Sequence, residues 1–339
     1  MLRFYKKIFI GFIISIIPVL LIVIRYLIID PYNDLPIHYQ KDITYIFQSL
    51  GDQTTKKILS SQKKINCFIF GSSKSLSFKA IDCKKKLFKN NKTLHPYHYA
   101  NWGESIGGIY KKLLFLNSEN LQLKYIFILL DGNLSFRGNG NAHDFDHYMI
   151  SGISPISYYY KHFSEFINPT SYYFNENIRI LLNQKNDASY YYRCHFDTKF
   201  NDLYYNKKLI KNKNQKKQLS KIKNTLVKEL LRNRGKSNYF KRQISTNEKN
   251  ILKKIKMLLT KSNTKYIFIL TPIKNRFKLN NYDFEFLEKL FPNKIIDASG
   301  NNLLTEKNLL FIDNIHYFSI INEKIMDSVK TKMKNEKVL

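Results

Sequence analysis

Residues Ile65–Ser75 read INCFIFGSSKS, and the fold class turns on them. The apolar run Ile65–Phe70 is too short for a typical helix and suits a strand buried on both faces. Gly71 supplies a turn, and the serines behind it suit a helix start. Two more such runs follow, Tyr125–Leu130 (YIFILL) and Tyr266–Thr271 (YIFILT), and a shorter one, Tyr97–Asn101, ends at Trp102-Gly103. Between them, Ile109–Leu116 and Ile251–Leu259 carry apolar residues at helical spacing. Continuous apolar strands alternating with amphipathic helices predict an α/β fold with a parallel sheet covered on both faces.

Working outward, residues from about His143 to Asn250 differ in composition. Tyrosine clusters (SYYYKHF, TSYYF, SYYYR) give way to a Lys/Asn-rich stretch. This region reads as a mostly helical insertion between the third and fourth strands. Its tyrosines suit either stacking on sugars and bases or a packing layer with polar tips. On the other side, residues 30–64 form a membrane-proximal segment opened by Asp30-Pro31, with a helix expected around Lys41–Leu50.

Before that lies IFIGFIISIIPVLLIVIRYLII, Ile8–Ile29, a stretch of 22 residues with one charge, Arg25. A bilayer core about 30 Å thick needs about 20 apolar residues in a helix, and Arg25 near the end can snorkel. Pro18 is tolerable in a membrane helix. Arg3, Lys6 and Lys7 flank one end and Asp30 and Asp34 the other, so the positive-inside rule predicts residues 1–7 in the cytoplasm and 65–339 outside it. The run is too long for a cleaved signal peptide, and no alanine precedes Ala80 to offer a cleavage site.

The net charge of +30 is mostly lysine. It suits an anionic partner, either a lipid surface, a glycan or nucleic acid, or else a solvated lysine face; export of the domain disfavours nucleic acid. Cys67, Cys83 and Cys194 form no CxxC and no dense framework, so no dependence on disulfides is expected.

Four motifs fall at the ends of the expected strands, where open α/β sheets place ligands. Gly71-Ser72-Ser73-Lys74-Ser75 reads as an exposed nucleophile at a helix N-terminus or as a plain N-cap. Asn101-Trp102-Gly103 could bring a backbone N–H to a reacting oxygen, or be an ordinary turn. Asp131-Gly132-Asn133 offers an amide donor in Asn133, or turn chemistry alone. Asp313-Asn314-Ile315-His316 could supply a general base and the carboxylate that orients it, or a helix cap.

Taken in order, these motifs resemble the SGNH/GDSL hydrolase superfamily, more narrowly its membrane-anchored GSS-x-S branch, which is similar to DltD-like proteins of envelope polysaccharide acyl transfer. IDPY after the anchor, IIDASG and FIDNIHYFS add to the resemblance, which spans Asp30–Ser319 with the insertion unmatched. It implies a three-layer α/β/α sandwich with a flavodoxin-like sheet. It implies Ser73 as nucleophile, His316 as base and Asp313 as its carboxylate. Ser73, Gly103 and Asn133 would form the oxyanion hole, although Asp131 replaces the glycine of the family's third block. The expected activity is that of an extracytoplasmic serine esterase or O-acyltransferase. It would act on a cell-envelope glycan, with a membrane acyltransferase as a partner. The alternative is a non-catalytic assembly or glycan-binding protein on the same fold.

No cofactor and no metal are expected. The HDFDH stretch, His143–His147, reads as a solvated loop rather than a metal site, Cys67 as a buried apolar residue, and no P-loop or dinucleotide fingerprint is present.

Overall fold

A computed structural model of the chain describes residues 2–30, 32, 34–35, 50–61, 64–132, 134–137, 146–168, 194–196, 202–205, 220–221, 223–306, 310–311, 316–317 and 319–335. The chain divides into two compact units, one of residues 1–41 with 153–187, the other of 42–152 with 188–339.

In the first unit, α1 runs over Leu2–Ile29 without a break at Pro18. Its segment Phe4–Ile28 has a mean hydropathy of 2.8 and no buried residue in its most apolar window, so it is long and apolar enough to cross a membrane. The helix stops at Asp30, whose φ of +43° is left-handed. The Asp30 carboxylate then accepts the N–H groups of Asp34 and Leu35. Helix α6, Pro155–Ile167, closes on this end of α1. His162 Nδ1 lies 2.9 Å from Asp34 Oδ1, Tyr26 donates its hydroxyl to Asp34 Oδ2 at 2.6 Å, and Tyr32 stacks on the His162 ring. Phe163 and Phe166 pack edge-on against Tyr26. Asp34, expected as a flanking charge, is therefore buried in a polar clasp.

The second unit is built on five strands, β1 (Cys67–Phe70), β2 (Pro96–His98), β3 (Tyr125–Leu130), β4 (Lys265–Leu270) and β5 (Ile295–Asp297). They form one sheet in the order β2-β1-β3-β4-β5, and every pairing is parallel. Ile65 and Asn66 stay outside β1 because the Asn66 side chain is used to hold the chain before β2, donating to Thr93 O and accepting from His95 N–H.

Strand residues alternate between two cores. Phe68, Phe70, Ile126, Ile128 and Phe268 face one core, covered by α2 (Leu50–Ser60), α4 (Ile106–Ser118), α8 (Thr246–Lys261) and α9 (Asn281–Leu290). Cys67, Ile69, Phe127, Leu129 and Ile269 face the other, covered by α3 (Ala80–Lys86), α7 (Val227–Leu231), α10 (Leu303–Glu306) and α11 (Ser319–Asn335). Full burial of each such side chain contributes about 1.5–3 kcal/mol, which explains why these strands carry no polar face. Helix α8 starts on a capping box, with Ser245 accepting from Asn247 N–H and Glu248 accepting from Ser245 N–H.

Residues 41–49, expected to carry a helix, lie outside the described residues, and α2 is seen from Leu50. Within the stretch 143–250 the described residues hold α5 (Tyr148–Ser151), α6 and α7. They also hold an antiparallel pair, Cys194–Phe196 with Leu203–Tyr205, and the short strand Asn238–Tyr239, which pairs with Phe277–Lys278.

Candidate active site

The site forms where β1 and β3 end side by side. Gly71 leaves β1 with φ +154°, a conformation that side chains rarely adopt, and a Cβ there would sit 2.7 Å from Ser75 Cβ and 3.0 Å from Leu129 O. Only glycine fits this turn. Gly71→Ala is expected to cost about 1–3 kcal/mol through backbone strain, read as a lower midpoint in denaturant unfolding at unchanged m-value.

Ser72 caps the 3-10 turn Ser73–Ser77, accepting from Lys74 N–H at 3.3 Å. Ser75 Oγ donates to Ser72 O at 2.6 Å, which closes the turn. Ser72 also donates its hydroxyl to Asp131 Oδ2, and Thr271 Oγ1 donates to Asp131 Oδ1 at 2.9 Å. The carboxylate just past β3 thus holds the serine just past β1. Between these supports Ser73 is left partly exposed, its Oγ 2.9 Å from His316 Nε2.

His316 is placed by its neighbour. Tyr317 bridges to Phe311 in antiparallel fashion and donates its hydroxyl to Asn322 Oδ1. Asn322 Nδ2 donates in turn to Ser77 Oγ at 2.6 Å. The histidine segment and the serine turn are therefore tied together twice, once through the 2.9 Å contact and once through Asn322. Asp313 and Asn133 lie outside the described residues. Gly103 sits exposed in the turn after β2 with φ +59°.

That turn has a buried foundation. Glu104 forms an ion pair with Lys112 of α4, both wholly enclosed, and the Lys112 ammonium lies 4.6 Å from the Tyr99 ring centroid. Gly108 leaves room for it, since a Cβ there would meet Glu104 Oε1 at 2.0 Å. Asn101, one residue before Trp102, is buried, accepts from Gly51 N–H and donates to Asp146 Oδ1 at 2.8 Å. Asp146 and His147, expected in a solvated loop, are both buried. The reason is this pairing, which uses Asp146 inside the domain. No group of three or more His, Cys, Asp or Glu with metal-binding geometry occurs among the described residues.

Several supports were not readable as such in the sequence. Asp131 read as turn chemistry. Burial raises its carboxyl above the usual range, while Lys74, the Thr271 hydroxyl and the charge of His316 pull it back down. A raised folded value means the native state holds this proton more tightly than the unfolded chain. The resulting stability is full below pH 4 or so, about the unfolded aspartate value, and is lost as pH rises through the folded value. Asp131→Asn is expected to flatten this slope, measured as unfolding free energy across pH 4–8.

Asp202 caps α3 from 122 positions away, its oxygens accepting from Ala80 N–H at 2.6 Å and Ile81 N–H at 2.8 Å. His98, at the end of β2, lies 3.0 Å from Ser75 Oγ and 3.7 Å from Asp202. All three side chains are enclosed, so this second serine–histidine–aspartate line supports the turn and does not meet solvent. Cys67 and Cys83 are free, buried thiols, and burial pushes both well up, as expected of apolar packing residues.

What these elements define is an α/β protein with a parallel five-stranded sheet and a serine–histidine pair where β1 ends. No protein-family profile and no curated protein matches the chain.

Proposed function

We propose that the chain is a membrane-anchored serine esterase or O-acyltransferase of the SGNH kind, with a three-layer α/β/α domain on a flavodoxin-like sheet. The single observation that carries this reading is the 2.9 Å contact between Ser73 Oγ and His316 Nε2, across 243 residues of sequence. It lies at the sheet edge where such folds place their sites. The partial exposure of Ser73, against the enclosure of Ser72 and Ser75, singles out the serine that a substrate can reach.

In the proposed reaction Ser73 Oγ attacks an acyl carbonyl while His316 Nε2 takes the hydroxyl proton. The tetrahedral oxyanion is held by the N–H groups of Ser73 and Gly103 with the Asn133 amide, and Asp313 orients the imidazole. Collapse expels the alcohol, which receives the proton from His316, and leaves an acyl-enzyme. Water or a glycan hydroxyl then gives its proton to His316 and attacks the acyl carbonyl; collapse breaks the Ser73 ester, and His316 returns the proton to Ser73 Oγ, completing hydrolysis or transfer. The support for Asp313, Gly103 and Asn133 is the resemblance of DNIH, NWG and DGN to the family's blocks.

Helix α1 supports single-pass anchoring, and the charges Arg3, Lys6 and Lys7 support a cytoplasmic N-terminus with the domain outside. An exported site on a membrane tether suits a cell-envelope polysaccharide as acceptor and a membrane acyltransferase as donor partner. Two measurements test the reading. The full chain in detergent should turn over p-nitrophenyl acetate with a pre-steady-state burst; absence of turnover by folded protein sinks the enzyme reading. A periplasmic reporter fused after residue 40 should be active; activity only of a cytoplasmic reporter would reverse the topology.

A further inference from the structure

We infer that a lysine-lined cavity at the edge of the sheet opposite Ser73 is a binding site for an acidic saccharide, its acids carboxylates or phosphates. The cavity is half open to solvent and has a volume of about 740 Å³, within the range of about 300–1,000 Å³ typical of ligand sites. Its walls come from the end of α3 and the turn after it, the start of β3 at Tyr125, and the last turns of α11.

Lys85, Lys86, Lys89, Lys92, Lys330 and Lys334 line it, and no acid does, although the chain has 26 acids beside its 56 bases. Lys86 is answered by Glu323 and Asp327 at 3.5 and 3.8 Å. None of the other five forms an ion pair among the described residues. Lys330 and Lys334 stand four apart on one helix face, a like-charge spacing that destabilises a helix. Their place at a helix C-terminus accounts for one cation each. It does not account for six lysines lining one concavity beside Asn90, Asn91 and Thr93 with no acid among them.

Amines converging on a concavity focus positive potential and concentrate anions there. Lysines contributed by two elements, α3 with the turn after it and α11, suit a chain carrying several acids better than a single phosphate. The space holds a few sugar rings and excludes a nucleic-acid duplex. Leu94, just before β2, and Tyr125, first in β3, mark the amino-terminal edge, whereas Ser73 follows the carboxyl end of β1. Along β3 that separation is about 17 Å at about 3.3 Å per residue, so a bound chain leaves the serine accessible. The inference does not rest on Ser73 being a nucleophile.

The test is calorimetric titration of the full chain in detergent, carrying Ser73→Ala, with hexagalacturonate, glucose 1,6-bisphosphate and neutral maltohexaose. At least one acidic probe should bind and maltohexaose should not. Lys89→Glu/Lys92→Glu should weaken that binding tenfold or more, while the charge-matched pair Lys253→Glu/Lys261→Glu, exposed on α8, should change it less than threefold. Lys330→Gln/Lys334→Gln should repeat the loss, so that a fold defect in one variant leaves the other to decide. Equal losses in the cavity and control pairs would show diffuse charge and overturn the inference. So would failure of both acidic probes, equal binding of inorganic phosphate, or tighter binding of a 12-base-pair DNA duplex.

Discussion

Replacing His316 with alanine is expected to lower ester turnover by on the order of 10³-fold or more, and replacing Ser73 by about as much. The double replacement should be scarcely worse than either single one, because in the proposed reaction the two groups share one proton-coupled step. Their 2.9 Å contact is the geometry of a base in place to take the serine proton. Losses that multiply in the double variant would show two residues acting independently. The contact would then be packing rather than mechanism. Thermal unfolding of each variant guards the comparison, since Ser73 and His316 are only partly buried and their truncation should leave the fold intact.

The second large effect is structural. Lys112→Met should destabilise the domain by about 3–5 kcal/mol, because it leaves the enclosed Glu104 carboxylate without its partner. At roughly 2–4 °C per kcal/mol for a domain of this size, the melting temperature should fall by about 10 °C. Adding Glu104→Gln should recover much of it, since removing both charges is far cheaper than stranding one. The pair stands directly behind Gly103, so Lys112→Met should also slow turnover more than its stability loss explains. If Lys112→Met melts like the wild type, the pair is not buried as the structure has it.

The strands were legible where both faces are buried. YIFILL is the whole of β3, and YIFILT is shifted by one residue from β4, because a run apolar at every position has one explanation at that length. β2 was legible only in part: the strand is Pro96–His98, and the chain beyond it stays alongside β1 through the Tyr99 N–H bond to Ile69 O and the Asn101 N–H bond to Gly71 O. Helix periodicity located α4 and α8 but not their ends, which depend on the caps Ser105 and Ser245.

The candidate site shows a sharper division. Ser73 and His316 could be read because glycine and a local Asp-x-x-His pattern punctuate them. Asp131 could not, because Asp-Gly-Asn also spells a turn. Its use as the acceptor for Ser72 exists only once β1 and β3 lie adjacent. Asp202 was further out of reach. It sits in a Lys/Asn-rich stretch, and nothing local signals that it caps a helix 122 positions away. His98 and Asp146 belong to the same class, polar groups whose partners are set by tertiary packing.

The proposed chemistry rests on one serine, so the most direct measurement is the location of a covalent adduct. Folded full-length protein would be treated with a fluorophosphonate, digested and mapped by tandem mass spectrometry. The expected result is a single adduct on Ser73, absent in Ser73→Ala and formed far more slowly in His316→Ala. No adduct on the folded protein, or one carried equally by Ser73→Ala, would contradict it.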